Sequence, residues 1–235
     1  MKDIASRTLA QAVVDVNRLR VVDLSKMLDP ATERRRCALR RYFTVVNETS
    51  GYHCEIDIMS HLGTHLEFPF HVKDEWKDGS QLPPSAFVAR GILLHLATVR
   101  PKELIRRTDL EDAARGRVQP GDAVLLDSPY HSEPFMPSPH DQRPQLSEEA
   151  ARWFRDQQVK CVGWGDGVAI ENNGPECRAF HEILLGHEVL LLEVVKNLEH
   201  LRDETFLLVY APLPIVGLDS CPVRVLAIEG LPLKA

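Results

Sequence analysis

Residues 61–71 read HLGTHLEFPFH, and this stretch decides how the rest of the chain is interpreted. Its side chains with metal-ligand chemistry stand only at odd-numbered positions, at His61, His65, Glu67 and His71. Because successive side chains of an extended strand point to opposite faces, the spacing predicts a strand with imidazoles and a carboxylate on one face. Imidazole nitrogens and carboxylate oxygens are the usual ligands of zinc and its neighbours. The stretch therefore predicts a metal site.

A helix is the competing geometry, because His61 and His65 are spaced so that they would share one helical face. Gly63 and Pro69 disfavour it, since glycine and proline are poor residues for a helix interior. The alternation also begins upstream, at residues 53–58, so we predict one long strand that ends near Pro69. The other alternative is a polar strand face open to solvent. Ligand-type residues in strict register favour the metal site instead.

The bulk composition is that of a soluble globular protein. The chain of 235 residues is long enough for one large domain or two small ones, and 44% hydrophobic and 26% charged residues are ordinary values. The net charge of −6 argues against a general nucleic-acid binder. No stretch approaches the ~20 apolar residues of a membrane span, and the N-terminus lacks the apolar core of a signal peptide. We therefore predict a small-molecule substrate, with neither nucleic acid nor membrane as a partner.

The cysteines indicate a cytoplasmic location. They are odd in number, scattered, and without a C-x-x-C pair, which fits reduced thiols better than a disulfide framework. They are Cys37, Cys54, Cys161, Cys177 and Cys221.

Three segments leave alternatives open. The proline-rich stretch Ser128–Gln145 is either a lid or binding loop or a rigid exposed connection. The glycine-rich residues 163–167 are interpreted as a turn near the site rather than a phosphate cradle. An arginine patch is either a solvated face beside a strand, or the source of a side chain that reaches a substrate carboxylate or a dimer contact. It comprises Arg34, Arg35, Arg36, Arg40 and Arg41.

The order of elements predicts one α/β domain with a mixed sheet, spanning residues 1–235, with residues 1–20 as an N-terminal helical extension. Apolar spacing predicts that helix over Ile4–Leu19. Two strands of a hairpin are predicted at 38–46 and 54–66, and Ser147 is predicted to cap a helix that runs to about Gln157. A second helix is predicted over 178–185. Further strands are predicted at 21–25, 88–99, 123–126, 159–164, 189–195, 206–210 and 223–228.

Several segments together resemble the metal-dependent cyclase family, which includes bacterial kynurenine formamidases and isatin hydrolases. Residues 61–71 resemble its signature, H-x-G-T-H-x-[DE]-x-P-x-H. Residues 23–25 (DLS), 146–151 (LSEEAA) followed by Val162-Gly163, 213–219 (LPIVGLD) and 222–224 (PVR) are similar to other family segments. The resemblance implies a swivelling β/β/α domain, assembled as a homodimer or higher homo-oligomer.

The resemblance also implies a ligand set for zinc or manganese. His61, His65 and Glu67 would hold one metal, and Glu67 could bridge to a second metal. His181, followed twelve residues later by Glu193, is similar to the distal ligands that hold this second metal in the formamidases. The acid/base would be His71. Spacing alone does not point to His181 or Glu193.

The implied reaction is hydrolysis of an amide-type bond, with release of formate from a formamide. The metal would acidify a water molecule, and His71 would accept its proton and pass it to the leaving nitrogen. The sequence departs from the formamidase pattern at Glu67, where the family has aspartate, and this leaves open the number of metals and the substrate. The alternatives are opening of a lactam or lactone ring, as in isatin hydrolase, and a non-catalytic role in binding a metal or metabolite.

Overall fold

A mixed sheet forms the body of the protein in the computed structural model, which describes residues 13–16, 19–47, 49–135 and 138–233. The strands among these residues are β1 Val13–Val16, β2 Leu19–Asp23, β3 Cys37–Val46, β4 Thr49–Ile58, β5 His65–Glu67, β6 Val88–His95, β7 Ala123–Asp127, β8 Cys161–Gly165, β9 Leu190–Val195, β10 Thr205–Val209, β11 Ser220–Pro222 and β12 Leu226–Glu229. Ten of them form the sheet, in the order β1-β2-β12-β10-β6-β7-β8-β9-β5-β11, and β3 and β4 form a separate hairpin. The predicted α/β class with a mixed sheet is confirmed. The interpretation of residues 1–235 as a single domain stays a prediction.

Three α-helices lie among the described residues, α1 Arg107–Ala114, α2 Glu148–Asp156 and α3 Gly174–Leu185. The Ser147 hydroxyl accepts a hydrogen bond from the Ala150 amide at 3.0 Å, so the predicted cap of α2 is confirmed. Helix α3 begins before the predicted residue Arg178, because Asn173 caps it. Short 3₁₀ turns occur at Pro69–His71, Gly79–Gln81, Pro84–Phe87 and Leu198–His200. None of the described helices has the length and apolarity that a membrane span needs.

The four parallel strands β6 to β9 lie at the centre of the sheet, with both faces covered. One face, which includes Ile92 and Leu126, packs against the three helices. The opposite face, which includes Leu93 and Leu125, forms a second core with side chains of the antiparallel strands, such as Phe206 of β10, and of the 3₁₀ turns, such as Phe87. Burial on both faces explains why these strands read as continuous apolar runs in the sequence.

The predicted long strand through residues 53–69 is wrong. Strand β4 ends at Ile58 and pairs with β3 alone, and β5 covers only His65–Glu67. Between them Gly63 has φ of +60°, a left-handed conformation that glycine adopts without strain. Beyond them Pro69 opens a 3₁₀ turn. The histidines at the two ends of the motif therefore lie on turns on either side of β5, and not on one strand face.

The predicted N-terminal helix over Ile4–Leu19 is wrong for the residues that can be described. Val13–Val16 form β1, which pairs antiparallel with Leu19–Val22 of β2. A run rich in β-branched valine favours a strand over a helix, and the adjacent strand supplies its hydrogen bonds. Residues 1–12 and 17–18 of the predicted helix lie outside the described residues.

Candidate metal centre

The centre of the candidate site is the pairing of β5 with β9. His65 and Glu193 are direct partners in this antiparallel pair, and Glu67 lies two residues further along β5. All three residues are at most 3% exposed. A buried carboxylate needs a compensating positive charge or hydrogen-bond donors, and here two carboxylates are buried side by side.

The residues of the first predicted ligand group converge. His61 Nδ1 lies 2.9 Å from Glu67 Oε1 and 3.3 Å from His65 Nε2. His65 Nε2 lies 3.7 Å from the same glutamate oxygen. The three ligand atoms are thus close enough to surround one ion.

The second predicted group lies on the other side of Glu67. His181, from α3, places its Nε2 3.1 Å from Glu67 Oε2 and 3.8 Å from Glu193 Oε1. Oε1 of Glu67 therefore faces His61 and His65, whereas Oε2 faces His181. Among the described residues Oε2 is buried without a well-aligned hydrogen-bond donor. A buried oxygen in this condition fits a cation ligand, and its place between the two groups fits a bridging carboxylate.

The outward nitrogens of the buried imidazoles are held by hydrogen bonds. His65 Nδ1 donates to the Gly63 carbonyl at 2.8 Å, and His181 Nδ1 donates to the Cys177 carbonyl at 2.7 Å. A carbonyl oxygen only accepts, so in the neutral ring the proton sits on Nδ1 and the lone pair of Nε2 points inward. This is the tautomer that a metal ligand requires.

His71 stands at the rim of the same cluster. Its Nε2 lies 3.8 Å from Glu67 Oε1, and its side chain is 32% exposed, whereas that of His65 is 1% exposed. The opposite nitrogen, Nδ1, lies 3.3 Å from Asp219 Oδ2. The same aspartate oxygen lies 2.7 Å from His61 Nε2. Reasoning from sequence missed Asp219, which appeared only as the last residue of a tail segment; no spacing links it to the histidines.

The charges of the cluster favour a bound cation. Burial, together with the charge of Glu67, raises the pKa of Glu193 to about 7. Burial opposes ionisation of Glu67 as well, but the close approach of the His181 and His61 imidazoles holds its pKa well below the ordinary value. For His181, burial opposes protonation, but its hydrogen bond to Cys177 and the carboxylate of Glu67 raise its pKa to about 11. Protons on these side chains balance the negative charge of the buried carboxylates. A divalent cation held by the same nitrogen and oxygen atoms would balance it as well.

A cavity of about 430 Å³ opens beside His61. Its wall includes Arg35, whose guanidinium donates to the His61 carbonyl and lies 4.6 Å from the centre of the Phe135 ring. Lys26 and Lys196 also line it. The volume is in the range of small-molecule sites.

The arginine patch divides between its two interpretations. Arg36 and Arg40 form ion pairs with Asp57 and Glu55 on one face of the exposed hairpin, and these side chains form a solvated face. Arg41 stacks on Tyr52 on the opposite face, which also carries Phe43. Arg35 differs from them because it reaches the cavity.

Part of the proline-rich segment is anchored beside the cavity. The Phe135 amide donates to Glu171 at 2.8 Å, and Glu171 in turn binds the buried Arg143 at 2.6 Å. Arg143 is 1% exposed and also pairs with Asp141. Glu133, Pro134 and Phe135 line the cavity wall, as a binding loop would. The structure thus favours the loop interpretation over that of an exposed connection for this part of the segment.

The chain is similar to several known proteins. A family model described as "Putative cyclase" matches residues 22–172. Kynurenine formamidase of Bacillus cereus is 26% identical over 165 residues, which cover 70% of this chain and 74% of that protein. A solved structure described as a potential metal-dependent hydrolase with cyclase activity is 26% identical, with a TM-score of 0.67 over 91% of this chain and 100% of the other. Isatin hydrolase A from Labrenzia aggregata shares the fold with a TM-score of 0.71 at 20% identity, over 90% of this chain and 94% of the other.

Proposed function

Because the chain belongs to the cyclase family, we propose that it is a metal-dependent hydrolase that cleaves an amide-type C–N bond and releases formate from a formamide. The kynurenine formamidases among its relatives support this choice of reaction. The observation that carries the proposal is the convergence of imidazoles from the 61–71 motif and from α3 on the buried carboxylate of Glu67. A fold gains nothing structural from this arrangement, since burying the carboxylates costs free energy unless a cation compensates them.

We assign one metal to His61, His65 and Glu67, and a second to His181 and Glu193 with Glu67 shared between them. The inward nitrogens of His65 and His181 and the two differently facing oxygens of Glu67 support this division. Imidazole and carboxylate ligands suit zinc and manganese alike. A divalent cation held there would supply Lewis acidity and acidify a water molecule.

His71 is the proposed acid/base. Its ring is more accessible than those of the other site histidines, and it lines a second cavity, of about 340 Å³, together with His181. Pro69 begins the 3₁₀ turn that ends at His71 and so fixes the direction of the chain between Glu67 and this ring. His71 Nε2 would accept a proton from the attacking water and then donate it to the leaving nitrogen, so that formate and a free amine result.

The substrate is a small molecule, and the cavity beside His61 is its proposed site. Arg35, Lys26 and Lys196 line part of this wall, where Lys26 also pairs with Glu33 and Lys196 with Asp166, and Phe135 adds an aromatic surface. An aromatic formamide that carries a carboxylate matches both features.

The test compares formamides, beginning with N-formylkynurenine, with lactams and lactones such as isatin, each with and without chelator. Formate release that chelation abolishes is the expected result. Ring opening alone would replace the proposed reaction by that of isatin hydrolase, and stoichiometric metal without hydrolysis would indicate a binding protein. In matched variants, His65→Ala should lose metal, whereas His71→Ala should keep metal and lose turnover. Full activity of His71→Ala would refute the acid/base assignment.

We also propose that the protein assembles as a homodimer through the hairpin of β3 and β4. An isolated hairpin of two strands is marginally stable in water, and one face of this one carries exposed apolar side chains. They are Leu39, Phe43, Val45, Tyr52, Ile56 and Ile58. These large side chains, each at least 39% exposed, supply the apolar core of a standard interface, in which each partner buries about 800 Å². A second copy covers this face by symmetry, because it carries the same patch.

Light scattering on size-exclusion fractions tests the assembly. Phe43→Lys, on the apolar face, should give a monomer, and Thr44→Lys, on the opposite face of the same strand, is the matched control. A dimer that persists in Phe43→Lys would contradict this interface.

A further inference from the structure

Asp219 lies at the edge of the sheet, where the pairing of β11 with β5 places it in the site. It directly precedes β11, whose Ser220 pairs with Glu67 of β5, and its carbonyl accepts a hydrogen bond from the Phe68 amide at 3.0 Å. The backbone of Asp219 is thus fixed to the backbone of the metal-ligand motif itself. A charged side chain at this position has a defined place relative to Glu67.

The carboxylate of Asp219 contacts two imidazoles on their outer side. Its Oδ2 lies 2.7 Å from His61 Nε2 and 3.3 Å from His71 Nδ1. The inner nitrogens of these two rings point the other way, with His61 Nδ1 at 2.9 Å and His71 Nε2 at 3.8 Å from the same oxygen of Glu67. Because an ionised carboxylate only accepts hydrogen bonds, both outer nitrogens donate to Asp219. Both inner nitrogens are then left to act on whatever lies at the centre.

His61 and His71 therefore differ from the other two site histidines. The outer nitrogens of His65 and His181 donate to backbone carbonyls. A carboxylate acceptor binds an imidazole N–H more strongly than a neutral carbonyl does, and the difference grows when the ring takes up a proton or binds a cation. Of the two rings that share Asp219, His61 is a proposed metal ligand and His71 is the proposed acid/base, so one carboxylate acts on both roles.

We propose that Asp219 is a positioning residue that holds His61 and His71 together through one shared oxygen, with the inner nitrogen of each ring free for its task. This inference rests on the proposed function, and it names a residue that no feature of spacing identified. Its consequence is that metal affinity and the orientation of the acid/base depend on the same carboxylate.

The experiment measures zinc affinity by competition with a chromogenic chelator, and the histidine tautomers of the zinc-loaded protein by ¹⁵N NMR. In the wild-type protein, His61 should carry its proton on Nε2 and His71 on Nδ1. In Asp219→Ala, zinc affinity should fall by about 10–100-fold, the usual effect of removing a carboxylate behind a ligating histidine. The Nδ1–H signal of His71 should give way to the Nε2–H form that predominates in water. Asp219→Asn keeps an oxygen whose two lone pairs can accept both N–H groups but removes the negative charge, so it should lie between wild type and Asp219→Ala.

Asp78→Asn is the matched control. The Asp78 carboxylate accepts from the Gly217 amide at 2.7 Å, so it anchors the same loop without touching an imidazole. It should lower thermal stability and leave zinc affinity and the His71 tautomer unchanged. Wild-type zinc affinity and tautomers in Asp219→Ala would overturn the inference, as would an Asp78→Asn protein that reproduces the Asp219→Ala changes. If His65→Ala also binds zinc with wild-type affinity, the proposed metal site itself is refuted. If Asp219→Ala keeps wild-type affinity while His65→Ala loses zinc, only the role of Asp219 is refuted.

Discussion

Removing metal should make the stability of this protein fall as the pH rises from 7 to 9. The imidazole of His181 is the cause. Its pKa in the folded protein is raised to about 11 from an ordinary value of 6.5, because its hydrogen bond to Cys177 and the carboxylate of Glu67 outweigh the opposing effect of burial. Over this pH range the folded protein holds a proton that the unfolded chain has lost, so the free energy of unfolding decreases as the pH rises.

The size of the effect follows from one proton. Each pH unit between the unfolded and folded pKa values changes the free energy of unfolding by about 1.4 kcal/mol, which gives about 2–3 kcal/mol between pH 7 and pH 9. For a chain of this length, 1 kcal/mol shifts the melting temperature by about 2–4 °C. The metal-free protein should therefore melt about 5–10 °C lower at pH 9 than at pH 7. Glu193, with a raised pKa of about 7, extends the same trend to lower pH.

A bound divalent cation replaces these protons, so the zinc-loaded protein should lack this decrease. Differential scanning calorimetry of chelator-treated and zinc-loaded protein at pH 7, 8 and 9 measures the difference. The buried thiol of Cys161, whose pKa burial raises well above its ordinary value, titrates alike in both forms and cancels in the comparison. Two parallel melting curves, with the same pH dependence with and without zinc, would refute the reasoning.

Two further predictions concern single side chains, and a third concerns the number of tightly bound metals. Glu67→Gln keeps the shape of the side chain and removes its charge, and zinc affinity measured by chelator competition should fall by about 10²–10⁴-fold, because breaking a buried charge pair costs about 3–5 kcal/mol. Arg143→Met should destabilise the protein by a similar amount in urea unfolding, since Arg143 is 1% exposed and pairs with two carboxylates; Arg152→Met, in an exposed pair with Glu148, should cost less than about 1 kcal/mol. Zinc titrated into chelator-treated protein should fill one tight and one weaker site, because the two buried carboxylates balance the charge of one divalent cation. Two equally tight sites would contradict this charge balance.

The sequence predicted the parts of the fold that depend on local pattern. The parallel strands β7, β8 and β9 were recognisable because burial on both faces demands apolar runs, and the cap of α2 because Ser147 precedes two glutamates. The N-terminal valine strand was mistaken for a helix because its apolar residues suit both periods. Its pairing with β2 is a contact that spacing alone does not reveal.

The candidate site likewise combines residues that a local pattern predicts with residues brought in by distant contacts. The motif at 61–71 correctly grouped His61, His65, Glu67 and His71, but for the wrong geometric reason, since the structure brings them together through turns at Gly63 and Pro69 and not through strand alternation. His181 and Glu193 were found by resemblance alone. Asp219 was found by neither route, because its contact with His61 spans 158 residues of sequence.

The charges at the centre bear on the number of metals. The two buried carboxylates, Glu67 and Glu193, carry two negative charges when ionised, and the imidazoles carry none in the tautomers that bind metal. One divalent cation balances this charge, whereas a second would leave an uncompensated positive charge in a buried site. Asp219 does not supply the missing negative charge at the centre, because its oxygen lies behind His61 and its side chain is 35% exposed. An anionic ligand from solvent or substrate is therefore needed to hold the second cation tightly. The longer side chain of Glu67 does not prevent the binding of a second cation, since Oε1 still faces His61 and His65 while Oε2 faces His181.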